Sequence, residues 1–404
     1  MPVAKQGDVR SVRPADLAAP HPVYCIWELT LKCDLACTHC GSRAGTARRN
    51  ELTTAEALDV VDQLAEIGVR EVGLIGGEAY LRDDWPVIAQ AIAASGMRCD
   101  LVTGGRRLDD AQVAKAVAAG VYAISVSVDG LQETHDQLRG VKGSWQAAMA
   151  SAQRIRAAGI HLLVNTQINR ASWRELDAVA ALLVDLGVRA WQIQLTVAMG
   201  RAADRPELLL QPFELDELFP LLADLKQQVL DPAGIQLFPA NNIGYFGPWE
   251  RRLRPGGDKG QHWTGCGAGM WSLGIEADGT LKGCPSLPTV GYAGGSLRDR
   301  RLRDLVANAE PITHVSRRTK ADLWGFCGSC YYADVCLGGC TWTSHSLLGR
   351  PGNNPMCIHR VTELKRQGLR ERLVQVERAP GRPFDHGRFE IEVEAWDGDT
   401  MAER

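Results

Sequence analysis

The sequence predicts an α/β fold: a partial (β/α)6 barrel of the TIM type, followed by a small cysteine-rich C-terminal domain. Three observations carry this. Between residues 23 and 231 short apolar strands alternate six times with amphipathic helices. Such alternation means a parallel sheet with helices on its outer face. Six units fall short of the eight that close a full barrel, so the barrel is open. A C-x3-C-x2-C loop (Cys33, Cys37, Cys40) follows the first strand, and seven more cysteines gather between Cys266 and Cys357. In barrels of this kind chemistry sits at the carboxyl ends of the strands, where the first cysteine loop falls.

Taken in order, residues 1–22 mix Pro, Ala and charge without periodicity and read as a loose lead-in. Val23–Leu29 is the first strand. Thr53–Ile67 is a helix, with Thr53 and Glu56 spaced as a capping box and Ala57, Val60, Val61, Leu64 and Ile67 as its apolar stripe. Strand Glu71–Ile75, helix Trp85–Ala94, strand Arg98–Thr103, helix Asp109–Ala119, strand Ala123–Val128 and helix Trp145–Ala158 follow. Strand His161–Ile168, helix Trp173–Leu186, strand Ala190–Thr196 and helix Glu214–Val229 complete the six units. Residues 232–262 are richer in Pro, Gly and Asn and read as a bridge. Residues 263–377 form the C-terminal domain. It opens on a hairpin, Leu273–Ala277 and Thr280–Lys282, around the turn Asp278-Gly279. Beyond Cys357 the pattern predicts a helix to about Glu377, and residues 378–404 form a polar tail with a strand-like run, Phe389–Val393.

The chain has 404 residues and a formal net charge of −3. A near-balanced charge gives no ground for a nucleic-acid or membrane surface. Met1–Pro20 lacks an apolar signal-peptide core, and no apolar run reaches the roughly 20 residues of a membrane span, so a cytoplasmic protein is expected. In that setting the ten clustered cysteines of the twelve read as metal ligands rather than disulfides. Cys25 and Cys99 stand apart within strands and read as core, as does Trp27.

Three thiolates in one short loop can hold three irons of a cubane cluster and leave the fourth open. A closed zinc site would need a fourth ligand, and His39, squeezed between Cys37 and Cys40, is the local candidate. The loop resembles the signature of the radical S-adenosylmethionine (SAM) enzymes. The resemblance implies a 4Fe-4S cluster on Cys33, Cys37 and Cys40, whose open iron binds SAM. Reductive cleavage would then give a 5′-deoxyadenosyl radical that abstracts hydrogen from a substrate. His39 stands where the family places an aromatic residue near the adenine. Gly76-Gly77-Glu78 resembles the family's GGE motif for the SAM amino group, continued here by Ala79 instead of Pro. Two glycines permit close backbone approach and a carboxylate accepts from an ammonium. Thr103 ends strand three where a ribose contact is expected. Ser127-Val128-Asp129-Gly130 with Arg139 resembles a further motif, making Ser127, Asp129 and Arg139 candidates for SAM ribose or carboxylate contacts. A helix cap and a surface salt bridge are the alternative there. Gln167, Gln192 and Gln194, near strands five and six, are candidates to orient a peptide or other polar substrate, or are satisfied polar groups at the strand ends.

Cys266, Cys284, Cys327, Cys330, Cys336, Cys340 and Cys357 resemble the SPASM domain, which carries two auxiliary iron–sulfur clusters. The resemblance implies Cys327, Cys330, Cys336 and Cys357 around the distal cluster and Cys266, Cys284 and Cys340 around the nearer one, which is left one protein ligand short. Enzymes of this kind commonly modify ribosomally synthesised peptides, so crosslinking or oxidative maturation of a precursor peptide is the leading expectation. Partners would be that peptide, an electron donor such as flavodoxin or ferredoxin, and a leader-binding element elsewhere on the chain or in a separate protein, since only residues 1–22 precede strand one. Pro285 follows Cys284 where sulfatase maturases carry a catalytic Asp, which argues against formylglycine formation. The alternatives are a small-molecule substrate, such as a tetrapyrrole side chain or an aminosugar, and a non-catalytic zinc-stabilised scaffold.

Overall fold

The computed structural model describes residues 21–254 and 262–396. The lead-in therefore lies outside the described residues up to residue 20. Strands β1 (Tyr24–Glu28), β2 (Glu71–Ile75), β3 (Arg98–Thr103), β4 (Ala123–Ser127), β5 (His161–Ile168) and β6 (Ala190–Leu195) run parallel in that order. Helices α1 (Thr54–Glu66), α2 (Trp85–Ala94), α3 (Asp110–Ala118), α4 (Gln132–Arg139), α5 (Ser144–Ala157), α6 (Leu176–Asp185) and α7 (Leu215–Leu225) connect or follow them. Thr53 caps α1 with Glu56 in the expected reciprocal box, and Ala57, Val60, Val61 and Leu64 are buried. Cys25, Cys99 and Trp27 lie in the core.

The structure extends the sheet beyond the six expected strands at both edges. In the bridge, Gln236–Pro239 forms β7, parallel to β6. At the other edge β8 (Ser272–Ile275) pairs parallel with β1, and β9 (Thr280–Lys282) and β10 (Ala293–Ser296) continue antiparallel, giving ten strands. The Asp-Gly hairpin is present, with Gly279 at φ 87°, and it is welded to the barrel. A buried charge group marks that seam. Arg48 Nη2 lies 3.1 Å from Glu28 and 2.9 Å from Glu276, and Lys282 Nζ lies 2.9 Å from Glu276. Burial pushes the Glu28 carboxyl up to about 7, against the pull of Arg48. Buried charges persist where each has a partner, and these pairs fix how the hairpin meets β1.

Helices α8 (Leu302–Asn308), α9 (Thr341–Leu348) and α10 (Ile358–Arg366) follow. The last helix ends at Arg366, not near Glu377. Gly368 at φ 71° breaks it, and Leu369–Glu377 becomes β11, paired antiparallel with β12 (Arg388–Ala395). The tail expected from residue 378 therefore contains half of a hairpin, whose turn folds back onto the barrel.

Candidate active site

The Cys33–Cys40 loop leaves the carboxyl end of β1, and two backbone N–H groups and a guanidinium address its sulfurs. Leu35 N–H donates to Cys33 Sγ and Ala44 N–H to Cys40 Sγ, each at 3.4 Å, and Arg139 Nη1 donates to Cys37 Sγ at 3.7 Å. Burial pushes the Cys33 thiol up to about 12 and raises that of Cys37, so iron must displace protons to bind. Donors aimed at sulfur are what thiolate ligands of an iron–sulfur cluster require, and the loop fits that group.

Glu78 lies beside this loop: an oxygen of Glu78, an oxygen of Asp34 and Cys33 Sγ all fall within 4.8 Å of one another. Its carboxylate accepts from Thr103 Oγ1 at 2.6 Å and from Gly104 N–H at 2.7 Å. Burial pushes it up to about 7 in spite of those donors. The Thr103 hydroxyl, a ribose candidate by sequence, is thus engaged by Glu78. The two glycines before Glu78 have a reason beyond ligand approach. A Cβ on Gly77 would stand 2.1 Å from the Lys32 carbonyl, and one on Gly76 2.4 Å from that of Thr30. The motif's backbone packs directly on the cysteine loop, with Gly77 N–H and Glu78 N–H donating to those same carbonyls at 2.8 Å each. A Gly77→Ala variant is expected to push the two loops apart at a cost of about 1–3 kcal/mol; a melting curve and the iron bound after reconstitution, both unchanged, would refute this packing argument.

The motif after β4 is a buried network rather than a surface pair. Asp129 is fully buried: its Oδ1 accepts from Gln167 N–H at 2.9 Å, and its Oδ2 is ion-paired with Arg139 Nη2 at 2.6 Å and lies 3.0 Å from His39 Nε2. Burial works against its charge, but Arg139 and His39 hold its carboxyl well below the usual range. His39, predicted beside the adenine, is anchored through Nε2, and its buried Nδ1 has no partner within the described residues. Ser127 ends β4 half-buried, aligned across the sheet with Asn165 and, through it, Gln192.

Several supporting residues escaped the sequence reading. Arg201, after β6, donates to the carbonyls of Cys37 (2.6 Å) and Ala44 (3.1 Å). A Cβ on the preceding Gly200 (φ 58°) would stand 2.3 Å from the carbonyls of Cys40 and Gly41. A Gly-Arg pair after a barrel strand was the only local signal.

The C-terminal cysteines gather into two sets. Cys266 and Cys284 are electrostatic neighbours of Cys340, while Cys327 and Cys330 adjoin Cys336, and Cys336 and Cys327 adjoin Cys357. Tyr245 of the bridge lies between the sets: its hydroxyl accepts from Cys340 N–H at 3.3 Å, and its carbonyl lies 3.9 Å from Cys357 Sγ. Trp263 packs edge-on against it at 5.0 Å.

An open barrel with three thiols and a buried carboxylate at the carboxyl ends of two neighbouring strands defines an enzyme of the radical SAM class. A model of the Radical SAM superfamily matches residues 27–188. The chain is 30% identical over 345 residues to the AdoMet-dependent heme synthase of Methanosarcina barkeri, covering 83% of this chain and 95% of that protein. It is 29% identical over 343 residues to the mycofactocin maturase MftC of Mycolicibacterium smegmatis, covering 83% of each. Its fold is similar to that of Streptococcus suis SuiB bound to the precursor peptide SuiA, with TM-score 0.63 and 16% identity over 83% of this chain and 75% of that one. The chain belongs to the radical SAM superfamily, whose cofactors are a 4Fe-4S cluster and SAM. No helix of the described residues is long and apolar enough to cross a membrane.

Proposed function

We propose that this enzyme modifies a ribosomally synthesised peptide by hydrogen abstraction. When bound and reduced, the cluster and SAM supply a 5′-deoxyadenosyl radical. Cys33, Cys37 and Cys40 hold the cluster, Glu78 receives the SAM ammonium, and Asp129, Arg139 and His39 fix the loop between them. Cys327, Cys330, Cys336 and Cys357 hold one auxiliary cluster; Cys266, Cys284 and Cys340 hold a second, with one site left for another ligand. Flavodoxin or ferredoxin would deliver the electron, and leader recognition would come from elsewhere on the chain or from a separate protein.

The observation that carries the peptide reading is a carboxamide array inside the barrel. Asn165 pairs in register with Gln192, and Gln167 with Gln194. All four are half-buried on the strand face opposite the core residues Val164, Thr166, Ile193 and Leu195. Gln167 Oε1 lies 3.5 Å from Thr196 Oγ1, and no partner within the described residues takes the side chains of Asn165, Gln192 or Gln194. Neutral amides that both donate and accept match a peptide backbone. One relative, named PqqA peptide cyclase (Ruegeria pomeroyi, 26% identical over 364 residues), and one structural neighbour bear peptide-related names as well. A second reading, oxidation of a tetrapyrrole side chain, is favoured by the heme synthase match, which spans 95% of that relative.

The test is a Gln192→Leu/Gln194→Leu variant. Uncoupled SAM cleavage is expected to stay near wild type while KM for the peptide rises roughly tenfold or more, the cost of unpaired amide partners. Turnover of an iron porphyrin carrying propionates, with no conversion of peptides encoded beside the gene, would replace the first reading by the second.

A further inference from the structure

We propose that the turn of the C-terminal hairpin, Phe384 and Asp385, is a positioning element of the cysteine loop, holding it through Arg43 and tying it to the C-terminal cysteine region. The inference rests on Cys33, Cys37 and Cys40 being the cluster ligands.

Asp385 Oδ1 accepts from Arg43 Nε at 2.8 Å, across 342 positions of sequence. The Asp385 carbonyl accepts from Gly200 N–H at 2.7 Å, and Phe384 N–H donates to the Gly41 carbonyl at 3.2 Å. Three contacts thus join one turn to both segments that enclose Cys40. The carboxylate is set in advance: its Oδ2 accepts from Gly381 and Arg382 N–H groups at 2.5 and 2.8 Å. The Arg43 nitrogens that remain grip Asp204 at 2.5 and 2.8 Å, but that side chain is 45% exposed against 7% for Asp385. Water therefore weakens the Asp204 contact far more.

What Arg43 does with this support shows in its backbone. It lies at φ 51°, the left-handed region, which a residue with a Cβ keeps only where its surroundings hold it. That turn brings Ala44 N–H back to Cys40 Sγ at 3.4 Å and leaves Ser42 Oγ 3.5 Å from the same sulfur. Asp385 thereby acts on Cys40 through Arg43, without touching cluster or substrate. On its other side the turn reaches the second cysteine region. The Phe384 ring, also on a left-handed residue, lies 3.7 Å under Lys282 Nζ, two positions before Cys284, and His386 packs against His345 at 4.9 Å. The hairpin turn is thus a physical link between the loop of the SAM-binding cluster and the hairpin that bears Cys284.

The experiment compares the reconstituted full-length protein with Asp385→Asn and Asp385→Glu. In Asp385→Asn the amide NH2 cannot accept, so either Arg43 or the turn's own N–H groups lose their partner. Hydrogen exchange of residues 41–45 and 200–204 is expected to rise about tenfold, with exchange elsewhere unchanged. SAM affinity, read from its perturbation of the reduced cluster's EPR signal, is expected to fall roughly tenfold, the factor one charge-assisted hydrogen bond supplies. Asp385→Glu is expected to recover part of both. Wild-type exchange and SAM affinity in Asp385→Asn would overturn the proposal, and so would a rise in exchange spread evenly over the chain. Absence of a SAM-sensitive cluster in the wild type itself would place the failure in the ligand assignment and remove the inference with it.

Discussion

An Asp129→Asn variant is expected to lose stability by about 3–5 kcal/mol and most of its capacity to hold the cluster of the cysteine loop. The size follows from what surrounds the carboxylate. It is fully buried and faces Arg139 at 2.6 Å and His39 at 3.0 Å. An amide cannot balance the guanidinium, which among the described residues would keep its contact to Cys37 Sγ at 3.7 Å and the field of Glu78. A buried charge stripped of its partner costs far more than the pair was worth. The loss falls on the cysteine loop, because His39 lies between Cys37 and Cys40 and Arg139 touches Cys37. Adding Arg139→Met should therefore recover part of the stability while leaving the cluster loosely held, a coupling that chemical denaturation of the two single variants and the double variant measures. Additive losses would show that Asp129 and Arg139 act independently and that the network is incidental to the loop.

The barrel was legible because its signals are local. Glu71–Ile75, Arg98–Thr103 and His161–Ile168 carry apolar runs bounded by turn residues, and the structure starts and ends them at the same positions. The Thr53 box was legible for the same reason. The seventh strand was not: four residues ending in Pro239 offer too little alternation to distinguish from a loop. Residues 358–377 read as one helix because charged residues at helical spacing outweigh a single glycine, yet Gly368 ends it and β12 supplies the partner that turns the remainder into a strand. At the site, residue types announced the cysteines, the Gly-Gly-Glu turn and Asp129, whose chemistry is rare elsewhere. The pairing of Asp385 with Arg43, and of Arg201 with the Cys37 carbonyl, depends on chain segments brought together only by the completed fold.

Glu78→Gln should do the opposite of Asp129→Asn: leave the fold intact and remove binding. Gly104 N–H at 2.7 Å is a donor that cannot reorient, so the new amide oxygen takes that side. The amide NH2 then faces Thr103 Oγ1, which stands at 2.6 Å from the present carboxylate and can rotate its hydroxyl to accept. Both ends of the new amide thus find partners, Thr103 Oγ1 accepting from it as well as from Gly105 N–H at 2.8 Å, and removing a buried negative charge relieves the same desolvation that pushes this carboxyl up to about 7. Melting temperature and iron content are expected near wild type. What the variant lacks is the anion that an ammonium would meet beside Cys33 and Asp34, and a charge-assisted hydrogen bond of that kind is worth about 1.5–3 kcal/mol, or roughly 10- to 100-fold in SAM affinity. Thr103→Val offers the converse comparison. It keeps the charge and removes one donor, so SAM affinity should fall less than in Glu78→Gln. Equal SAM affinity in wild type and Glu78→Gln, titrated by EPR on the reduced cluster, would detach this carboxylate from the cofactor and leave it as the brace that ties the turn after β2 to Thr103 and Gly104 at the end of β3.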